Sequence, residues 1–156
     1  MADPRLILCK CPVEISPRPV VTYREENCGR RVRPMSHPML PLLERTPVIP
    51  AVKEPETLER ALCHDGAAVF LLCGDILNIA GLVDRVHRAG KQAVVHGDLV
   101  AGLAPREIAV DYLRSCGADG IISTRPHIIR RGRELGMLTV LRVFAIDSKA
   151  VSNLGK

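Results

Sequence analysis

Three short runs in this 156-residue chain end in side chains able to hold an anion or move a proton. His96 and Asp98 close QAVVHGD, Ser123, Thr124 and Arg125 close DGIISTR, and Arg142 lies in MLTVLRVF with Asp147 and Ser148 just beyond. Lys53, ending PVIPAVK, and Asp75, following AVFLLCG, extend the series. An imidazole beside a carboxylate can relay a proton, contact a ligand or metal, or form a structural pair. Hydroxyls beside a guanidinium suit phosphate or carboxylate, which arginine grips through two parallel N–H bonds. If Arg142 points inward it needs an anion, either a ligand or a structural partner among Asp98, Asp119 and Asp147.

Other chemistry is poorly provided for. The glycines of GDILN do not have dinucleotide spacing, and no lysine-bearing phosphate loop occurs. A serine elbow and a paired-cysteine redox motif are also missing. Cys9, Cys11, Cys28 and His37 offer four zinc-type ligands, but their spacing matches neither ordinary paired pattern, so no metal is expected. The chain therefore reads as a binding protein rather than an enzyme.

Each polar group follows an apolar run, which fixes the elements that must carry it. Residues 47–53, Ala68–Cys73, Gln92–Asp98, Asp119–Arg125 and Met137–Phe144 read as five strands. Between them, Pro55 suits a helix start ahead of Leu58, Ala61 and Leu62, and a stripe of Ile79, Leu82, Val83 and Val86 ends at Gly90. A third helix over Pro105–Cys116 is expected to bury Ile108, Ala109, Tyr112 and Leu113, and a fourth runs from His127 to Leu135 before Gly136. Strand side chains alternate, so His96 and Asp98 share one face, Ile121, Ser123 and Arg125 another set, and Arg142 goes with Val140 and Phe144.

Short apolar strands separated by helices imply a parallel sheet with right-handed crossovers. A doubly wound open sheet is complete with five strands, whereas a β/α barrel needs eight; both gather ligands at the carboxyl ends of the strands. The first 46 residues differ, carrying seven prolines and no sustained period, and read as an irregular tail before a domain at 47–156.

Composition bounds the partners. Residues 119–156 carry seven basic against three acidic residues, net +4, while residues 39–118 have net −2. The late basic stretch, with Arg130, Arg131 and Arg133 on a helix, can position a phosphate backbone or be a solvated face. With two Tyr, two Phe and no Trp there is little for single-stranded bases to stack on, which favours a duplex or hairpin partner. No apolar run long enough for a membrane span and no secretory signal are visible, and the cysteines form no disulfide framework, so a reducing cytoplasm is expected.

Four of these runs together, PVIPAVK, HGDLVAGL, GIISTRPHII and LRVFAIDSKA, resemble the glycerol-3-phosphate-responsive antiterminator family over residues 47–154. The resemblance implies a TIM-type barrel, present here as about five parallel strands with intervening helices, that binds glycerol 3-phosphate and the leader mRNA of a glycerol-utilisation operon. It places the family's strand-end residues on His96, Asp98, Ser123, Thr124, Arg125, Arg142, Asp147 and Ser148. Gly97 stands where a bulkier residue is usual, and Leu141 where a glutamine commonly precedes the arginine. It further implies three more β/α units with a glycine-rich phosphate loop beyond this stretch, and hence a homo-oligomer or a complementing C-terminal fragment as partner. The competing expectations are a phosphometabolite-binding barrel enzyme and a nonfunctional remnant.

Overall fold

A computed structural model describes residues 40–144. Cys9, Cys11, Cys28 and His37, and at the other end Asp147 and Ser148, lie outside the described residues.

Five parallel strands form one sheet in the order β1-β2-β3-β4-β5, each hydrogen-bonded to the next in sequence. They are β1 (Ala51–Val52), β2 (Ala68–Leu71), β3 (Gln92–His96), β4 (Gly120–Ser123) and β5 (Leu138–Leu141). The helices are α1 (Leu40–Arg45), α2 (Leu58–Leu62), α3 (Ile79–Arg88), α4 (Glu107–Ser115) and α5 (Pro126–Glu134). Unbroken parallel neighbours with a helix in each crossover are the arrangement of a β/α barrel over five of its strands. A doubly wound sheet would reverse its strand order part-way, and this one does not.

The helix stripes are in place for the reason their period suggests. Ile79, Leu82, Val83 and Val86 of α3 are all buried against Val69, Leu71, Ala93 and Val95, the outward row of β2 and β3. Fully covering each such side chain is worth about 1.5–3 kcal/mol, which is what holds a ten-residue helix that would be marginal alone. Gly90, Gly117 and Gly136 stop α3, α4 and α5 with φ of 72°, 89° and 66°, a left-handed turn that other residues adopt at a cost. On α4 the stripe departs from expectation. Ile108 is 70% exposed and Val110 is buried instead, with Ala109 and Leu113. The helix runs Glu107–Ser115 with its packed face centred on Ala109 and Leu113, which brings Val110 inward and leaves Ile108 on the opposite side.

The opposite row, Phe70, Leu72, Val94, Ile122, Leu138 and Val140, forms a second, smaller cluster. Only Val94 and Ile122 in it are fully covered, and the rest stay half-buried. Part of the cover comes from a segment with no periodic signal. The stretch through residue 46 is expected to be irregular, yet α1 is helical, and its Leu43, with Ile49 after it, packs on this inner row. Tertiary contact rather than helix period sustains so short an element.

The strands are shorter than their apolar runs. β1 has two residues of PVIPAVK, since Pro47 and Pro50 cannot donate to a ladder. β3 stops at His96, after which Gly97–Leu99 form a 3₁₀ turn, and β5 stops at Leu141.

At the amino end of the sheet Asp119 ties three elements together. Its Oδ2 lies 2.7 Å from His87 Nε2 of α3 and accepts the Ala93 N–H of β3 at 2.8 Å. Asp119 is thereby occupied at the end of the sheet away from Arg142.

Candidate functional site

At the carboxyl end the chain builds two adjoining structures, a pocket and a hydrogen-bonded knot. The pocket, of about 680 Å³, opens on the inner row of the sheet. Phe70, Leu72, Ile122 and Val140 line its apolar part, and its charged or titratable lining residues are Lys53, His96 and Arg142, with no carboxylate among the described residues that border it. These three come from the ends of β1, β3 and β5, which the inward parity of the strands brings to one mouth.

His96 is 2% exposed, on the inner row opposite Ile122 of β4. Its Nε2 lies 3.5 Å from Arg142 Nη1, and its Nδ1 is buried with no hydrogen-bond partner among the described residues. Burial lowers the imidazole below its ordinary value of 6.5, and the nearby Arg142 guanidinium adds to this, while the Asp98 carboxylate opposes it. Arg142, just past β5, is exposed and stacks on Phe144, its guanidinium carbon 5.0 Å from the ring centroid. It has no carboxylate partner among the described residues, so neither Asp98 nor Asp119 neutralises it.

Asp98 does something different. The 3₁₀ turn that follows His96 breaks the strand alternation and carries Asp98 sideways to the end of β4. There Oδ1 accepts the Ser123 hydroxyl at 2.8 Å, and Oδ2 accepts the Thr124 N–H at 2.7 Å and the Thr124 hydroxyl at 2.9 Å. Arg125 Nε approaches Oδ1 at 3.9 Å, and the Arg125 N–H donates to Ser123 Oγ at 3.0 Å. Burial works against the ionised carboxyl, but the bonds from Thr124 and Ser123 outweigh it and hold the group below its usual range. Ser123 and Thr124, on opposite faces by strict alternation, therefore meet at one carboxylate, because β4 ends between them.

Both shifts have the same sign for stability. His96 and Asp98 each bind protons more weakly folded than unfolded, so the unfolded chain gains protons first as the solution is acidified. Their contribution should be fully present above 6.5, decline as pH falls through 6.5 toward the lowered value of His96, and decline again below 3.8 for Asp98. Urea midpoints measured across pH should show both steps, and His96→Asn should remove the upper one.

The remaining expected residues are distributed as follows. Lys53 reaches the pocket mouth and is exposed. Asp75 is engaged locally, its Oδ1 accepting the N–H groups of Leu77 and Asn78 and its Oδ2 the Asn78 amide, so it shapes the turn before α3. Arg131 is held by a two-point bond to Asp111 of α4, at 2.6 and 3.2 Å, and by Glu134 at 3.0 Å. Arg130 and Arg133 are exposed on α5. Leu99 stood in the sequence reading only as part of the HGDLVAGL motif and Val143 was not singled out; both line the pocket mouth, and the available signal was an apolar residue immediately after a strand's polar end. Leu141, at the position where the resemblance leads one to expect glutamine, also lines it. A Cβ at Gly97 would meet the tip of buried Ile121 at 3.1 Å, closer than ordinary packing, so a bulkier residue there requires that side chain to shift.

Comparison with known proteins agrees with this fold. The family model described as "Glycerol-3-phosphate responsive antiterminator" matches residues 48–156. An uncharacterized Escherichia coli K12 protein, YgcP, is 35% identical over 120 residues, covering 76% of this chain and 63% of its own. The crystal structure of the glycerol uptake operon antiterminator regulatory protein from Listeria monocytogenes is similar with a TM-score of 0.64 and 31% identity, covering 78% of this chain and 62% of that one. A glycerol uptake operon antiterminator-related protein from Thermotoga maritima gives a TM-score of 0.62 and 35% identity, with 67% and 59% covered. The chain thus spans about three fifths of the length of these relatives. Matched along most of its length by the family model, and in fold by two solved structures at over 30% identity, the chain belongs to the glycerol-3-phosphate responsive antiterminator family.

Proposed function

We propose that this chain is a transcription antitermination regulator whose pocket takes the phosphate of glycerol 3-phosphate and whose partner is the leader mRNA of a glycerol-utilisation operon. The observation that carries the ligand reading is the convergence of Lys53, His96 and Arg142 on one mouth lined by no described carboxylate. Such a mouth concentrates positive potential over an apolar floor, and the exposed Arg142 guanidinium, with no carboxylate partner among the described residues, is available to a phosphate.

The RNA reading rests on family membership and on the exposed arginines of α5. Arg130 and Arg133 are the stronger candidates for backbone contact, since Arg131 is already committed to Asp111 and Glu134. A phosphometabolite enzyme is less well supported. Asp98 is saturated by Ser123 and Thr124 instead of orienting His96, so the site lacks an evident acid and base pair.

The test is a titration of the protein with its operon leader RNA at moderate salt, with and without glycerol 3-phosphate. Ligand-dependent RNA binding supports the proposal, and binding that ignores the ligand sinks it. Arg142→Ala should weaken glycerol 3-phosphate by roughly ten- to a hundredfold, the loss of about 1.5–3 kcal/mol that accompanies a charged hydrogen bond. Isothermal calorimetry measures this directly, with Arg133→Ala expected to leave ligand affinity unchanged.

A further inference from the structure

We propose that anion capture in this pocket is coupled to uptake of a proton by His96, so that occupancy depends jointly on ligand concentration and on pH. The inference rests on the phosphate reading of the pocket and adds to it the protonation state in which the ligand is held.

The argument begins from the buried ring. An arginine nitrogen can only donate, so the 3.5 Å approach of Arg142 Nη1 leaves His96 Nε2 as the acceptor and puts the ring proton on Nδ1. That Nδ1 has no partner among the described residues, and the ring is 2% exposed. This geometry presents a neutral imidazole with one nitrogen facing a cation and the other without a partner among the described residues.

Among the described residues the charges near the ring come from three strand ends: Lys53 after β1 and Arg142 after β5 line the pocket with it, and Asp98 after β3 acts on it from outside the pocket lining. From β2 and β4 the pocket receives the apolar Phe70, Leu72 and Ile122, while Arg125, just beyond β4, faces Asp98. Asp98 favours the charged ring, and Arg142 with burial disfavours it. A dianion entering between Lys53 and Arg142 reverses the balance. It offers acceptor oxygens to the guanidinium, frees Nε2 from its acceptor role and stabilises a proton there. The balanced step is neutral His96 plus a solvent proton plus the dianion giving an imidazolium–dianion pair, with no covalent bond made or broken except N–H.

The sign follows from linkage. Burial and Arg142 hold the ring below its ordinary 6.5, and a bound anion raises it. Between its values without and with the anion each bound ligand brings in up to one proton, and affinity strengthens as pH falls, by at most about tenfold per pH unit. Outside that window the ring's contribution is flat.

The test is calorimetric titration of the whole chain with glycerol 3-phosphate in buffers of different ionisation enthalpy, for the wild type and His96→Asn. The ligand's own phosphate also exchanges a proton on binding, so the ³¹P shift of the bound phosphate is followed in both proteins and the ring's share is the uptake that the phosphate does not account for. The expected result is greater proton uptake by the wild type and a shallower pH dependence in His96→Asn. In case that variant does not fold, ¹⁵N spectra of the His96 ring in the wild-type protein report the same change, from neutral when empty to imidazolium when saturated. A ring that stays neutral on saturation, even if its tautomer changes, overturns the inference and leaves the phosphate reading standing. If folded protein binds no glycerol 3-phosphate at all, the phosphate reading fails and the inference falls with it.

Discussion

Gly120→Ala should cost about 3 kcal/mol of folding stability, read as a drop in the urea midpoint with little change in slope. Gly120 lies on β4, paired on one side with Val94 of β3 and on the other with Leu138 of β5. A Cβ there would sit 2.7 Å from Leu138 Cβ, 2.9 Å from the Leu138 carbonyl oxygen and 3.1 Å from Val94 Cγ1. Two of those contacts involve atoms on or directly attached to the neighbouring backbone, so no rotamer change relieves them. Either β5 moves away from β4 or the sheet bends. Since β5 delivers Arg142 to the pocket, the same variant should also weaken the proposed binding of glycerol 3-phosphate. Gly81, around which a Cβ meets nothing within 4 Å, supplies the control, and Gly81→Ala on α3 should be neutral or slightly stabilising.

Asp98→Ala should destabilise by a similar amount, about 3 kcal/mol, because it strands several donors at once. The carboxylate accepts three hydrogen bonds from Ser123 and Thr124, and Ser123 is fully buried, so its hydroxyl cannot turn to water. Thr124 is exposed and can be rehydrated, which keeps the loss below the sum of three buried bonds. Asp98→Asn retains one acceptor oxygen and should lose roughly half as much. Asp111→Ala, which removes the partner of Arg131 between two helices near the surface, should destabilise least of the three. Chemical unfolding of the three variants ranks them, and a neutral Asp98→Ala would show that the knot at the end of β4 is decorative.

Much of the fold was legible because the helices and strands have different periods and most helices end at glycine. The stripe of Ile79, Leu82, Val83 and Val86 could be read directly, and the parallel order follows from the alternation. What escaped was set by tertiary contact. Nothing in LPLLER marks it as a helix before the inner row of the sheet is there to receive Leu43. Ile108 looked like a core residue because the packed face of α4 could not be fixed from the sequence alone.

The candidate site divides in the same way. Lys53, His96 and Arg142 converge as inward parity predicts, whereas Asp98 obeys the 3₁₀ turn and not the strand. Alternation fails where a strand stops, and functional residues gather where strands stop. Asp75 illustrates the complementary difficulty: its position on the rim was correct in sequence terms, but an aspartate three residues before an asparagine is as well suited to closing a turn as to greeting a ligand.

The sheet order has a consequence for how the chain comes into being. Each described strand after β1 pairs with the one made immediately before it, so these β/α units find a docking partner already in place as they leave the ribosome. Among the described residues none of these pairings waits for a distant segment, loop closure stays local at each step, and assembly can keep pace with synthesis from β1 toward β5.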